Sequence, residues 1–237
     1  MYYATPEGFW ERLKRLADPF TYVDKFVMPV VNPDGNRLIE NVVYGFSALF
    51  FAYVLYNFVL AGLLGTSAPL VIVYSGSMEP VLYRGDVVVL TGSKDFEVSA
   101  VNLDFPISGK RLSDFAEVGL GPSAKYGLRQ ATLKINGAEY EFDPNGAIVV
   151  YYSQLRGQDI IHRAVLKLHA PDGDFLITFG DNNSRIDEDC PVQGTQCISL
   201  SPVPVSKVKG KYLFHVPLVG YVKLLVFDDL PRALFGR

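Results

Sequence analysis

The chain divides into one continuous apolar stretch and a longer region in which hydrophobic and polar positions alternate. Residues 42–64 (VVYGFSALFFAYVLYNFVLAGLL) carry no charge, and Asn57 is their only strongly polar residue. A helix of this length is about 34 Å long at ~1.5 Å per residue, enough to cross the apolar core of a bilayer. The stretch begins too late and is too long for a signal peptide. It predicts one transmembrane helix, although a buried helix of a soluble protein is the alternative.

From residue 65 onward the pattern changes to the period of two that is typical of β-strands, and helical patterns are weak. The residues Ile135-Asn136-Gly137-Ala138 are a hairpin signal between two of the runs. The candidate strands are Leu70–Tyr74, Asp86–Thr91, Ala131–Ile135, Ala138–Phe142, Ala147–Tyr152, Asp159–His169, Asp174–Phe179 and Val205–His215. We therefore expect residues 65–237 to form a mostly β domain.

Two further apolar patterns flank these regions. Within residues 1–41, four residues recur at helical spacing: Phe9, Leu13, Leu16 and Phe20. They predict a short amphipathic helix that lies on the cytoplasmic face of the membrane or against a partner helix. Near the other end, Val216–Phe227 is apolar but too short to span a bilayer. A buried strand and an apolar edge that dips into the membrane both fit that second segment.

The basic residues predict the orientation of the transmembrane helix. The segment before it contains Arg12, Lys14, Arg15, Lys25 and Arg37. Only one basic residue follows it within about 20 residues, so the positive-inside rule places residues 1–41 in the cytoplasm and residues 65–237 outside. The net charge of −3 gives no argument for a nucleic-acid partner.

The cysteines agree with an extracytoplasmic domain. Cys190 and Cys197 are the only two in the chain, and they lie close together in its later part. A disulfide between them is plausible in an oxidising compartment, and two unpaired buried thiols are the alternative. The chain offers too few ligands of this kind for a zinc site.

A serine, a histidine and an acidic loop are the candidate catalytic groups. Ser77 lies between two predicted strands, in a segment that a simple turn would also explain. On the run DIIHRAVLKLH, alternation places His162 on the apolar face and His169 on the solvent face. Asp181 and Asp187 follow in a turn, and a carboxylate there could orient a protonated imidazole.

Four motifs in this order make the sequence recognisable. SGSMEP, RGDVVV, DIIHRAV and FGDNN resemble the type I signal peptidases, in the branch that uses histidine and that occurs in archaea and in the endoplasmic reticulum. The resemblance covers residues 42 to about 220. It implies a signal-peptidase-like β catalytic domain behind one transmembrane helix.

The resemblance also implies the role of each candidate residue. Ser77 matches the nucleophile and His162 matches the general base, where bacterial relatives have lysine. Asp181 and Asp187 match two family aspartates, and the sequence leaves open which of them contacts the histidine. The Ser75 hydroxyl and the Ser77 amide match the donors of the oxyanion hole.

The function implied is that of a serine endopeptidase that removes signal peptides from secreted and membrane preproteins without a cofactor or metal. The implied partners are preprotein signal peptides, the lipid membrane and, beyond these, the protein-export channel or accessory subunits. We expect a single-pass protein of the cell membrane, with its catalytic domain outside. The alternative is a catalytically inactive relative that serves as a membrane scaffold or binding module.

Two features depart from the family pattern. An insert at about residues 91–145 is longer than the family usually needs and carries its own hairpin, so we expect an inserted β subdomain. The second, C-terminal membrane span of some relatives has no counterpart here. Neither departure touches the candidate catalytic positions, and the insert supplies the motive for the scaffold alternative.

Overall fold

The computed structural model describes residues 8–190 and 197–231, in two compact units that comprise residues 1–63 and 64–237. Part of the predicted N-terminal region and the residues after 231 therefore lie outside the described residues. Each unit is described by itself below.

The first unit is helical. Its elements are α1 (Phe9–Ala17), α2 (Pro19–Tyr22), a π-helical turn (Val23–Val27), α3 (Met28–Val31), and a long helix made of α4 (Arg37–Val54), a π-helical turn (Leu55–Leu60) and α5 (Ala61–Leu64). The long helix begins at Arg37 because the Asn36 side chain accepts a hydrogen bond from Leu38 N at 2.8 Å.

The long helix has the length and composition of a membrane span. It comprises 28 residues, and its most apolar 18-residue window has a mean hydropathy of 1.9 and is not buried in the protein. Among the described residues it is the only helix that meets these criteria. Its apolar side chains are therefore not buried by other parts of the protein, which is typical of a helix that lies in a bilayer.

The second unit is mostly β, and this prediction is confirmed. Its strands are β1 (Leu70–Ile72), β2 (Val87–Thr91), β3 (Ala100–Asn102), β4 (Ala116–Ser123), β5 (Gly127–Ile135), β6 (Ala138–Glu141), β7 (Ile148–Ser153), β8 (Gln158–Ala170), β9 (Gly173–Phe179), β10 (Val203–Pro204) and β11 (Val208–Val216). Short 3₁₀ helices lie at Leu112–Asp114 and Val205–Lys207.

Eight strands form the main sheet in the order β1-β2-β11-β7-β8-β9-β10, with β3 parallel to β8. The other pairs in this sheet are antiparallel. Strand β8 pairs with β7 over Gln158–Arg163 and with β9 over Arg163–Ala170, and β3 pairs with it over Lys167–His169. Every part of β8 therefore has a paired neighbouring strand.

The inserted residues form a separate three-stranded sheet in the order β4-β5-β6. Strand β4 was not expected from the sequence, because Gly119, Gly121 and Pro122 interrupt its alternation. It is an edge strand, where glycine and proline are tolerated. The short strands β3 and β10 also lacked a sequence signal.

The C-terminal apolar segment is not a buried strand, so that interpretation is wrong. It contains the short helix α6 (Tyr221–Leu224) and a π-helical turn (Leu225–Asp229). Leu224 is fully buried, whereas Val222 and Phe227 are 73% and 70% exposed. The helical period turns one residue toward the core and leaves the others on the surface.

Candidate active site

Ser77 lies in the connection between β1 and β2. The two ends of this connection are joined by hydrogen bonds from Val73 N to Asp86 O and from Gly85 N to Val73 O, both 2.9 Å. Met78, the next residue after the serine, is completely buried in a hydrophobic cluster. The methionine anchors the turn in the core and leaves the partly exposed serine hydroxyl at the surface of the sheet.

His162 is 2% exposed and projects from β8, where its backbone pairs with Val149 of β7. Its Nε2 atom lies 2.9 Å from Ser77 Oγ. This is a normal hydrogen-bond distance between a nucleophile and a base. The structure therefore brings together two residues that are 85 positions apart in the chain.

Asp187 lies on the other side of the imidazole. Its Oδ2 atom is 2.6 Å from His162 Nδ1 and also accepts hydrogen bonds from Tyr151 Oη and Thr178 Oγ1, both at 2.8 Å. Asp187 as a whole residue is 2% exposed, and its backbone N donates to Thr178 O at 2.9 Å. Asp187 Oδ1 is buried without a hydrogen-bond partner among the described residues.

Asp181 occupies a different environment. Arg163 donates to its two carboxylate oxygens, from Nε at 2.8 Å and from Nη2 at 2.7 Å. The same guanidinium donates to Gly146 O at 2.8 Å. Of the two candidate aspartates, the structure places Asp187 at the histidine and Asp181 at this arginine.

The serine, imidazole and carboxylate form one continuous hydrogen-bonded line. In such a line the imidazole can take a proton from the hydroxyl while the carboxylate holds the ring in one tautomer and stabilises its charged form. This arrangement suits acyl transfer through a serine nucleophile.

The comparisons with known proteins agree with this geometry, although no protein-family model matches the chain. The signal peptidase complex catalytic subunit SEC11 of Schizophyllum commune is 29% identical over 72% of this chain and 70% of its own length. The corresponding subunit of Yarrowia lipolytica is 28% identical over 78% of both chains. SEC11C of Canis lupus familiaris is 27% identical, over 73% of this chain and 65% of its own.

The resemblance to the type I signal peptidases is confirmed. The relatives are named catalytic subunits, and the matches cover most of the chain. Their names also describe these relatives as subunits of a complex.

The possible oxyanion donors of this signal-peptidase-like site lie in the serine turn itself. Ser75 Oγ is 3.3 Å from Ser77 Oγ, so its hydroxyl faces the reacting atom. A hydroxyl beside the nucleophile can donate to the oxygen that gains charge when the serine attacks a carbonyl.

Asn182 holds the serine turn in place, and sequence reasoning assigned it no role. Its backbone N donates to Ser77 O at 2.7 Å, and its Nδ2 donates to Gly76 O at 2.8 Å. Lys125 and Tyr126, in the turn between β4 and β5, donate to Asn182. The motif that carries Asp181 therefore also holds the turn that contains Ser77.

The inserted sheet packs against the same loop. Gln130 on β5 donates from its backbone N to Ser184 O at 3.0 Å, and its Oε1 accepts from Ile186 N at 2.7 Å. The insert thus binds one backbone acceptor, Ser184 O, and one backbone donor, Ile186 N, of the segment between Asp181 and Asp187. A charge or hydropathy pattern gives no sign of such a contact.

Thr178 and Glu188 complete the buried polar cluster. Thr178 N donates to both carboxylate oxygens of Glu188, at 3.2 and 3.1 Å, and Thr178 Oγ1 lies 2.9 Å from Glu188 Oε1. Burial, and next the charge of Asp187, raise the pKa of Glu188 well above its usual range. Burial, and then the same charge, raise the pKa of Tyr151. The only indication of this buried polar cluster in the sequence is a threonine within an apolar strand.

The remaining histidines lie away from the serine. His169 Nδ1 is 2.6 Å from Asp174 Oδ1, and His215 Nδ1 is 3.0 Å from Tyr212 Oη. The structure joins Cys190 and Cys197 in a disulfide with a Cα–Cα distance of 5.0 Å, and residues 191–196 between them lie outside the described residues. The described part of the chain contains no cluster of three or more potential metal ligands.

Proposed function

We propose that this chain is a membrane-anchored serine endopeptidase that removes N-terminal signal peptides from secreted and membrane preproteins. The observation that carries the proposal is the unbroken line from Ser77 Oγ to His162 Nε2 at 2.9 Å and from His162 Nδ1 to Asp187 Oδ2 at 2.6 Å. The similarity to named catalytic subunits favours an enzyme over an inactive scaffold.

The proposed reaction follows from the positions of these atoms. His162 Nε2 takes the proton of Ser77 as Oγ attacks the scissile carbonyl, and Asp187 stabilises the imidazolium. The Ser77 amide and the Ser75 hydroxyl donate to the carbonyl oxygen as it becomes negative. The histidine then protonates the leaving amine, and a water molecule attacks the acyl-enzyme by the same route in reverse.

Asp181 has a structural part in this proposal. Its carboxylate binds Arg163, the residue after the general base, and its neighbour Asn182 binds the nucleophile turn. We assign Asp181 to positioning this loop and Asp187 to the histidine.

The chain connectivity supports action near a membrane. Twelve residues, 65–76, separate the end of the apolar helix from Ser77. They reach at most about 3.6 Å each, or roughly 43 Å in total, which limits how far Ser77 can lie from the end of that helix. We place residues 1–41 in the cytoplasm and the β domain outside the cell membrane, as the basic residues predict. Accessory subunits or the export channel would present the substrate there.

The substrate is proposed to bind as an added β-strand, with small side chains at the cleavage site. Main-chain hydrogen bonds would give affinity, and shallow pockets beside Ser77 would exclude bulky residues by clash. The specificity of such a site is for size and not for charge.

The test is cleavage of a secretory preprotein by the full-length protein in lipid, with N-terminal sequencing of the product. We expect cleavage after a small residue, and its loss in both Ser77→Ala and His162→Ala. The matched control is His169→Ala, which removes a histidine from the same strand that has an aspartate partner but no serine. It should retain cleavage.

Two results would contradict the proposal. One is cleavage that persists in Ser77→Ala, which would place the nucleophile elsewhere. The other is a folded, lipid-embedded protein that cleaves no preprotein even with its co-purified partners, which would favour the scaffold alternative.

A further inference from the structure

The hydrogen bonds around Thr178 cannot all be satisfied if both neighbouring carboxylates are ionised. Thr178 Oγ1 carries one proton and lies 2.8 Å from Asp187 Oδ2, 2.9 Å from Glu188 Oε1 and 3.1 Å from Tyr151 Oη. With both acids charged, one anionic oxygen would face a hydroxyl lone pair at hydrogen-bond distance. Such a contact is repulsive, and burial makes it costly.

One additional proton on a carboxylate removes this conflict. The Tyr151 hydroxyl donates to Asp187 Oδ2 and so does not supply it. His162 Nδ1 also donates to that oxygen. The proton therefore belongs to one of the two acids, in the line Glu188–Thr178–Asp187.

The surroundings of the two acids differ in a way that assigns the proton to Glu188. Asp187 Oδ2 has three donor groups around it, one of which becomes cationic during the reaction. Glu188 is 2% exposed, its carboxyl oxygens lie at hydrogen-bond distance from the backbone N and the hydroxyl of Thr178, and it has no ion pair among residues 8–190 and 197–231. A buried carboxyl without a cation is most stable in its neutral form.

We propose that Glu188 is held protonated at neutral pH and acts as a positioning residue for the catalytic aspartate. Its Oε1–H donates to Thr178 Oγ1, which leaves Asp187 Oδ2 as the only carboxylate oxygen that can accept the threonine proton. This inference rests on the proposed function, because it assigns Asp187 its role beside His162. Burial and the charge of Asp187 raise the pKa of Glu188, which agrees with the assignment.

Loss of this proton would affect the reaction in two ways. The Thr178 hydroxyl could turn from Asp187 to Glu188, and a second negative charge would lie behind the histidine. The titratable groups that face Glu188 are Asp187 on its own loop and Tyr151 on β7, with His162 on β8 beyond Asp187. Tyr151 and Asp187 carry no positive charge that could offset the new negative charge on Glu188.

The direct test is infrared spectroscopy of the full-length Ser77→Ala protein with and without Glu188→Gln at pH 7. We expect a protonated-carboxyl band that the Gln variant lacks. Identical spectra in this region would mean that Glu188 is ionised and would overturn the inference. This readout requires no cleavage, so it is independent of whether the proposed function holds.

The kinetic test compares Glu188→Leu with Glu188→Gln in the active protein. Leu removes the donor to Thr178 and should lower kcat by about 10- to 100-fold, the value of a hydrogen bond that acts on a charged group. Gln keeps a neutral donor at every pH, so it should restore most of that loss and extend activity to higher pH. A Gln variant as impaired as Leu would show that the carboxylate form is required.

The stability of the folded protein gives a third readout. The folded pKa of Glu188 lies above its unfolded value of about 4.3, so the wild type loses stability as the pH rises from that value toward the folded pKa. Glu188→Gln lacks this loss. Its unfolding temperature relative to the wild type should therefore rise between pH 4 and pH 8, and a constant difference would contradict the inference.

Discussion

Strand β8 carries two histidines, each of which has its Nδ1 atom 2.6 Å from an aspartate oxygen, in very different surroundings. In one pair, His162 and Asp187, the side chains are 3% and 0% exposed. In the other, His169 and Asp174, they are 39% and 40% exposed. Distance alone therefore does not distinguish the proposed catalytic pair from a surface pair.

What distinguishes the two pairs is the third partner and the solvent. Ser77 Oγ lies 2.9 Å from Nε2 of His162, the ring nitrogen that does not contact Asp187, and protein atoms surround the pair. Around the exposed pair the charge is screened by water and shared with Lys167, which lies 3.0 Å from Asp174. An electrostatic effect on a reacting group is large only where water is excluded.

The largest predicted effect comes from Asp187→Asn. The amide cannot accept from Nδ1, Tyr151 and Thr178 as the carboxylate does, so the imidazole loses its tautomer and its charge stabilisation. We expect kcat to fall by about 10³- to 10⁴-fold with little change in KM, as for a serine protease triad. Asp174→Asn is the matched control and should leave cleavage intact. Equal losses of kcat in the two variants would show that the buried pair has no special role in cleavage.

A smaller effect is predicted for Gly180→Ala, which acts on the buried pair by contact. A Cβ at position 180 would lie 2.9 Å from His162 Nε2, the atom that faces Ser77. Moving the ring or the loop by a few tenths of an ångström should lower kcat by about 10- to 100-fold. Cleavage at the wild-type rate would show that this contact relaxes without disturbing the base.

Asp181→Asn should act mainly on stability. It breaks a bidentate pair with Arg163 whose side chains are 13% and 16% exposed, so solvent screens it only in part. We expect a loss of about 1–3 kcal/mol in the free energy of unfolding and a smaller kinetic defect than for Asp187→Asn. Thermal unfolding of the full-length protein in detergent measures the first, and kcat the second. A kinetic defect as large as that of Asp187→Asn would reverse the roles of the two aspartates.

The smallest effect is predicted for the exposed pair. The hydrogen bond from His169 lowers the pKa of Asp174, against a small opposing effect of burial. A lowered carboxyl pKa contributes stability that is present above the unfolded value of about 3.9 and is lost as the pH falls through the folded pKa. Asp174→Asn should therefore cost less than about 1 kcal/mol at pH 7, and this cost should shrink as the pH falls through the folded pKa. A cost that does not change at low pH would point to packing instead.

The sequence by itself determined the elements whose signals are local. The uncharged run of residues 42–64 fitted only an apolar environment, and the alternation on β8 placed His162 on the buried face and His169 toward solvent. These features follow from the period of the backbone and the cost of burying polar groups, which act within a few residues. The motif order added the identity of the nucleophile and the base as expectations.

The tertiary structure alone decided which groups meet. Asp181 and Asp187 are equivalent candidates in the sequence, and only the path of their loop against β5 brings one to Arg163 and the other to His162. The contact of Glu188 with Thr178 has the same origin, because it depends on how the loop folds back on β9. Contacts between distant segments depend on packing and register across the whole sheet, and a local pattern of residues contains neither.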